Sequence, residues 1–243
     1  YPKYGIGTLF SELANQLNQD SLHKKSRVTK IKHNQNYIQE IEINGTEIKK
    51  VNNLVSSMPL NKMLNTLHPS PPKEILTLAE KIKFRNVVLV VFFLNKNNIN
   101  KNGSMYFPSK KYPFTRIYEP KNRSNHMSPK NNTSLAVEIP CFNNDEYWNM
   151  EEQDLKKSIS KHLIDVGLFS ENEIIDSVVK KIFHAYPVLS LNYHENIIEI
   201  NKYLSNFKNL YLTGRNGLFT YSHIHDQMIS AKKILNDIAK DLE

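Results

Sequence analysis

From Val87 to Leu94 the chain reads Val-Val-Leu-Val-Val-Phe-Phe-Leu, its longest apolar run. β-Branched and aromatic residues with no polar interruption leave no face for water, so such a segment needs cover on both sides. It is strand-sized and well short of the ~20 residues that cross a bilayer. The run predicts the middle of a sheet over 84–94, with other layers packed against it. With 243 residues the chain can bury one large core or two smaller ones.

The flanking patterns supply those layers. Leu9, Leu13 and Leu17, with Ala14 beside them, predict an amphipathic helix over 8–19. Residues 27–55 read as a β-meander that opens with Val28 and Ile31 and turns at Asn44-Gly45, a strong hairpin signal. A further strand, 53–57, ends in Ser56-Ser57-Met58-Pro59. Short helices are expected at 60–67 and 72–81, and further strands at 105–108, 114–119 and 134–140. Strand alternation puts Arg116 and Tyr118 on one face and Ile117 on the other. A helix is expected over 145–166, ending at Gly167. Ser170 to Glu173 should then cap a short helix through 177. A strand over 178–187 closes at Ala185-Tyr186-Pro187-Val188, and a helix follows over 195–207.

The stretch from Asn209 to Ala231 carries the chemistry. Leu210-Tyr211-Leu212 reads as a buried strand, Thr213 to Gly217 as a turn, and a helix follows from about Ser222 with Ile224, Met228 and Ala231 on one face. A strand that passes through glycines into a helix can hold an anion, because the helix start leaves N–H groups unpaired and partially positive. The chain has only 7 glycines, about half the usual frequency. Each is thus expected where positive φ or close approach requires it.

The string Leu212-Thr213-Gly214-Arg215-Asn216-Gly217, followed by Phe219, Tyr221, Asp226 and Met228, resembles the C-terminal flavin-contacting motif of amine-oxidase-like FAD enzymes. That group includes protoporphyrinogen-oxidase-like proteins and UDP-galactopyranose mutases. The resemblance implies an α/β (mixed α+β) fold, in which an incomplete Rossmann-like FAD domain, 1–59 and 206–243, interleaves with a mixed-sheet substrate domain, 60–205. It further implies FAD contacts from Gly214, Arg215 and Asp226 at the ribityl–pyrophosphate region, and from Tyr221, Gln227 and Met228 near the isoalloxazine. Val28 would lie at the adenine, and Ser57 and Pro59 in a turn beside the cofactor. Arg116 and Tyr186 would contact a small-molecule substrate, while no catalytic residue can be assigned. The implied activity is oxidoreductase chemistry, with hydride passing from substrate to flavin. The alternative is a mutase acting on a nucleotide sugar without net redox, which needs converging arginines from among Arg85, Arg116 and Arg123. Such enzymes open with a strand–G-x-G-x-x-G–helix unit, which this sequence lacks. The chain therefore reads as part of a longer protein, as the partner of an N-terminal flavin-binding polypeptide, or as a non-catalytic module with an exposed edge near 1–10 and 209–213.

Charge and motif content narrow the alternatives. The net charge is +8, but the lysines are dispersed among asparagines and no nucleic-acid motif accompanies them, so no nucleic-acid partner is expected. The single cysteine, Cys141, excludes an intrachain disulfide, and with the absence of a spanning run this fits a cytoplasmic location. His223 and His225 are two apart and cannot share a helix face, so no metal site is expected. Nucleophile-elbow and Walker sequences are absent from the chain.

Overall fold

Two hydrophobic cores organise the chain, and each draws on segments distant in sequence. In the computed structural model, which describes residues 1–241, one compact unit comprises Tyr1–His23 and Arg85–Ala185. The other comprises Lys24–Phe84 and the chain from Tyr186 onward. In chain order the elements begin with α1 (Gly7–Asn15), β1 (Val28–Asn34), β2 (Tyr37–Ile43), β3 (Glu47–Lys50) and β4 (Leu54–Ser56). Then come α2 (Leu60–Thr66), β5 (Leu67–His68), α3 (Lys73–Lys81), β6 (Phe84–Leu94), β7 (Met105–Tyr106) and β8 (Arg116–Tyr118). They continue with β9 (Thr133–Cys141), α4 (Glu146–Asn149), α5 (Glu152–Asp165) and β10 (Ile174–Pro187). Last are α6 (Tyr193–Leu204), β11 (Leu210–Leu212), α7 (Gly214–Gly217) and α8 (Ile224–Asp241).

The first unit is built on a five-stranded sheet in the order β10-β6-β9-β8-β7. The apolar run is an inner strand, as its composition requires, antiparallel to β9 from Asn86↔Cys141 to Leu94↔Thr133. Val88, Val90, Phe92 and Leu94 join Leu135, Val137 and Ile139 on one face, where Leu155, Ile159 and Leu163 of α5 bury them. Ile117 belongs to this core, which leaves Arg116 and Tyr118 on the other face as the alternation demands. The loops at the sheet end are fastened by Glu119, a buried carboxylate. It accepts from the Ile99 and Asn100 N–H groups, the Asn122 amide and the Thr133 hydroxyl.

The second unit contains the meander β3-β2-β1, extended by parallel β5. Asn44 and Gly45 both have positive φ, the conformation that a two-residue hairpin needs to match strand twist. The fourth predicted strand leaves the meander: β4 pairs parallel with β11 in a separate two-stranded sheet. Leu60, Met63 and Leu64 of α2 are fully buried with Ile31, Ile38, Ile200 and Leu204 in the second core.

Three local expectations change. The Ser170–Glu173 capping box forms, but it closes a single 3-10 turn, and β10 begins at Ile174. Ile174, Ile175, Val178 and Val179 are β-branched and gain more in a sheet than in a helix. The helix expected over 145–166 is two helices, broken where Met150 and Glu151 are extended. The first helix is shorter than its leucine repeat, and no residue in it is buried.

Asn209 ties the second unit together. Its side chain accepts from Ile38 N at 2.8 Å and donates to Ile38 O at 2.8 Å and Asn52 O at 2.7 Å. Truncation leaves buried backbone groups without partners, each costing ~1–3 kcal/mol. Asn209→Ala is therefore expected to destabilise this unit by roughly 2–4 kcal/mol in urea unfolding followed by far-UV circular dichroism.

Candidate functional site

Parallel strands β4 and β11 end side by side, Leu210↔Leu54 through Leu212↔Ser56, and ligands of open parallel sheets bind outside such carboxyl ends. From Ser56 the chain enters the turn to Pro59, and from Leu212 it enters Thr213–Gly217. The two turns meet. Thr213 N donates to Ser56 O at 2.9 Å. A Cβ at Gly214, where φ is +78°, would stand 3.0 Å from Ser57 Cβ. A Cβ at Gly217 would stand 3.0 Å from Ser56 O and 3.4 Å from Ser57 Cα. Both glycines thus serve the apposition of two turns, and the space before them is filled by Ser56–Met58 backbone and the Ser57 side chain. Past α7, the buried Phe219 has φ +48°, a conformation that a bulky residue keeps only when its surroundings impose it. Phe84, 5.2 Å away ring to ring, and Tyr193 at 6.0 Å provide that constraint.

The side chains after this turn are interlocked. The Arg215 guanidinium donates twice to Ser222 O, through Nε at 3.1 Å and Nη2 at 2.6 Å. It also lies over Tyr186, 5.4 Å from the ring centroid, and over Tyr221 at 4.9 Å. The two tyrosine rings stack at 5.9 Å with 19° between their planes. Asp226 caps α8, accepting from His223 N at 2.7 Å, and also pairs with His225. Gln227 donates to Ser222 Oγ, while its Oε1 is buried with no hydrogen-bond partner. Ile224, Met228, Ala231 and Leu235, the apolar stripe of α8, are exposed, and Ile234 is the buried residue. Tertiary packing has turned the helix by about one position from the face its apolar spacing favours.

The sheet of the first unit holds the other expected contact. Arg116 grips Glu138 across strands β8 and β9 through Nε, at 2.9 Å, and Nη2. It stands over Tyr118 at 5.5 Å, and Arg123 approaches the same ring at 5.8 Å. Burial pushes the Tyr118 phenol above its usual range, and the Glu138 carboxylate adds to that. Arg85 lies over Phe142 at the opposite end of β9. Arg116 and Arg123 therefore converge on one tyrosine, and Arg85 does not join them. The cross-strand partner Glu138 was absent from the sequence reading; opposite charges on facing positions of two predicted strands were the signal available.

Of the residues expected at the cofactor, Ser57, Gly214, Arg215, Tyr221, Asp226 and Gln227 belong to the two turns or the α8 start, and Pro59 opens α2 directly after its turn. Val28 begins β1 and packs partly against the second core. Met228 lies on the exposed stripe. The Gln227 Oε1 without a partner and the exposed Ser57 at the strand ends fit a polar ligand such as FAD. Arg215 has its guanidinium engaged within the protein. No cluster of His, Cys, Asp or Glu among the described residues could hold a metal ion. No described helix is long and apolar enough to cross a membrane.

Two outcomes follow from this geometry. Gly214→Ala and Gly217→Ala are each expected to lose about 1–3 kcal/mol in urea unfolding, through positive φ or overpacking against backbone. Gly103→Ala, which meets nothing within 4 Å, should change stability by less than ~0.5 kcal/mol. Burial pushes the Cys141 thiol up to about 11, so at pH 8 it is protonated as well as covered. Mass spectrometry should find iodoacetamide modifying it in urea but not in the native chain.

The family model described as UDP-galactopyranose mutase matches residues 16–166. Among solved structures, a reduced UDP-galactopyranose mutase aligns over 89% of this chain and 47% of its own, at 16% identity and TM-score 0.75. A proposed protoporphyrinogen oxidase from Exiguobacterium sp. 255-15 aligns over 99% of this chain and 52% of its own, at 14% identity and TM-score 0.79. A fatty acid isomerase from P. acnes that produces CLA aligns over 96% and 51%, at 13% identity and TM-score 0.65. The chain thus spans about half the length of these structures, and at such identities they establish the fold. No curated protein sequence matches it. With more than half of its residues matched, the chain belongs to the UDP-galactopyranose mutase family, within the amine-oxidase-like flavoenzyme group that its C-terminal motif resembles.

Proposed function

We propose that this chain works in a flavoprotein that uses FAD to rearrange a nucleotide sugar without net redox. The observation that carries this choice is the convergence of Arg116 and Arg123 on Tyr118, within the span that matches the mutase family. Glu138 takes the Nε–Nη2 edge of Arg116, so the planar fork suited to a phosphate is that of Arg123, with Arg116 adding its outer Nη1 edge. Glu138 keeps Arg116 in place, and among the described residues the Arg123 guanidinium has one long hydrogen bond, to Ser104 Oγ at 3.4 Å, besides lying over Tyr1 at 5.6 Å. Arg123 would therefore be the first to engage an anion.

In the second unit, the Ser57–Pro59 turn, Gly214, Tyr221, Asp226, Gln227 and Met228 would flank FAD, with Val28 toward the adenine. Arg215 would act by bracing Tyr186 and Tyr221, with Tyr186 touching substrate. FAD, when bound, supplies a ring that can take up or return electrons. The division into a cofactor part, 1–59 with 206–243, and a substrate part, 60–205, belongs to this proposal. So does the supply of the dinucleotide-binding glycine turn by polypeptide outside these residues.

A second reading keeps FAD and makes the protein an oxidoreductase that removes hydride from a small molecule. Its support is the likeness of nearly the whole chain to the protoporphyrinogen-oxidase-type structure. The two readings separate in one assay of the full-length protein with FAD and UDP-galactopyranose. The mutase reading expects sugar ring isomerisation, read by chromatography, after dithionite reduction and with no net consumption of reductant. Stoichiometric reduction of an electron acceptor by a substrate, without isomerisation, would establish the oxidoreductase instead. Arg123→Ala should raise KM about 10- to 100-fold, the loss of one charge-assisted phosphate contact.

A further inference from the structure

One cation of the first unit is solvated by the protein itself. Lys121 is half-buried in the loops at the sheet end. Its Nζ lies 2.8 Å from Asn97 O and 3.0 Å from the carbonyls of both Lys130 and Asn132. Asn97 Oδ1 at 3.2 Å and Pro129 O at 3.4 Å complete the shell. An ammonium has three N–H donors, so the oxygens around it outnumber what single hydrogen bonds would use. No carboxylate among the described residues pairs with it. Carbonyl dipoles that converge in this way repel one another unless a cation stands between them. Backbone oxygens replace the water around potassium by the same arrangement. The separations suit an ammonium and exceed the roughly 2.0–2.6 Å at which magnesium and calcium bind oxygen. A cavity of about 730 Å³, walled in part by Asn97, Lys121, Asn122 and Lys130, opens beside the shell and gives solute ions a way in.

The same turn presents Arg123. Pro120–Asn122 form one 3-10 turn, closed by Arg123 N donating to Pro120 O at 2.9 Å. Its polar side chains face inward. Glu119 accepts from the Ile99 and Asn100 N–H groups, Lys121 fills the carbonyl shell, and Asn122 donates to Asn100 O at 2.8 Å and Asn102 O at 2.9 Å. Arg123 alone turns outward, over the Tyr118 and Tyr1 rings. Glu119 and Asn122 fasten the turn to 99–102 and Thr133, whereas Lys121 joins it to residue 97 on one side and to 129–132 on the other. We propose that the shell is a monovalent-cation site that Lys121 occupies from within the chain, and that Lys121 thereby acts as a positioning residue for Arg123. The cation site stands on its own geometry. The role toward Arg123 rests on the mutase reading and deepens it, by naming what holds the phosphate-binding fork in place before a ligand arrives.

The test removes the tethered cation and offers a free one. In the full-length protein, Lys121→Ala is expected to weaken UDP binding about 10-fold by calorimetry and to speed amide exchange over 121–132 by a similar factor. Ammonium chloride or potassium chloride should reverse most of both effects in a saturable way. Sodium chloride and magnesium chloride at equal ionic strength should not. Lys121→Met, whose side chain blocks the channel without a charge, should show the same losses and no reversal by any salt. The inference is overturned if Lys121→Ala exchanges and binds as the wild type does. It is also overturned if all salts act alike, which is screening, or if ammonium restores Lys121→Met as well. Exchange that ammonium slows in Lys121→Ala, when even the wild type binds no UDP, upholds the cation site and removes the mutase reading. Wild-type UDP binding with no ammonium response in Lys121→Ala does the reverse. Should Lys121→Ala fail to fold, the wild-type lysine Nζ spectrum decides. A caged ammonium exchanges its protons slowly, so the Lys121 resonance should persist at neutral pH, and its absence overturns the inference.

Discussion

The contact between the Ser56–Met58 turn and the Gly214–Gly217 turn is what the second unit depends on. Two strands more than 150 residues apart in sequence are brought parallel, and their following turns can touch only because neither glycine carries a Cβ. Everything placed nearby inherits this constraint. Phe219 is held at positive φ between two aromatic rings, and Arg215 is folded back onto the Ser222 carbonyl. α8 starts where Asp226 can cap it. The glycines thus act by setting where two strand ends meet.

The first unit solves a different problem. Its sheet has one face sealed by α5 and another that carries a bidentate ion pair with two tyrosine-stacked arginines. Guanidinium groups on an aromatic surface keep their charge while losing little rotamer freedom on binding, which suits recognition of a planar or multiply charged anion. The same loops are stiffened by the buried Glu119 carboxylate and by Lys121, whose ammonium reaches the carbonyls of Asn97, Lys130 and Asn132.

The sequence by itself determined the elements whose periodicity is strong. The run at 84–94 had to be an inner strand because it offers no polar face, and Asn44-Gly45 had to turn because both positions adopt positive φ at low cost. The string after Leu212 resembles the flavin-contacting motif of amine-oxidase-like enzymes, and that likeness agrees with the family match. What tertiary structure alone decided is which surfaces those elements turn toward one another. β4 left the meander for β11, the apolar stripe of α8 faced outward, and Gly214 and Gly217 opened toward Ser57. Local spacing records the chemistry of each face, but the partner of a face is set by long-range packing, and that information lies in residues far along the chain.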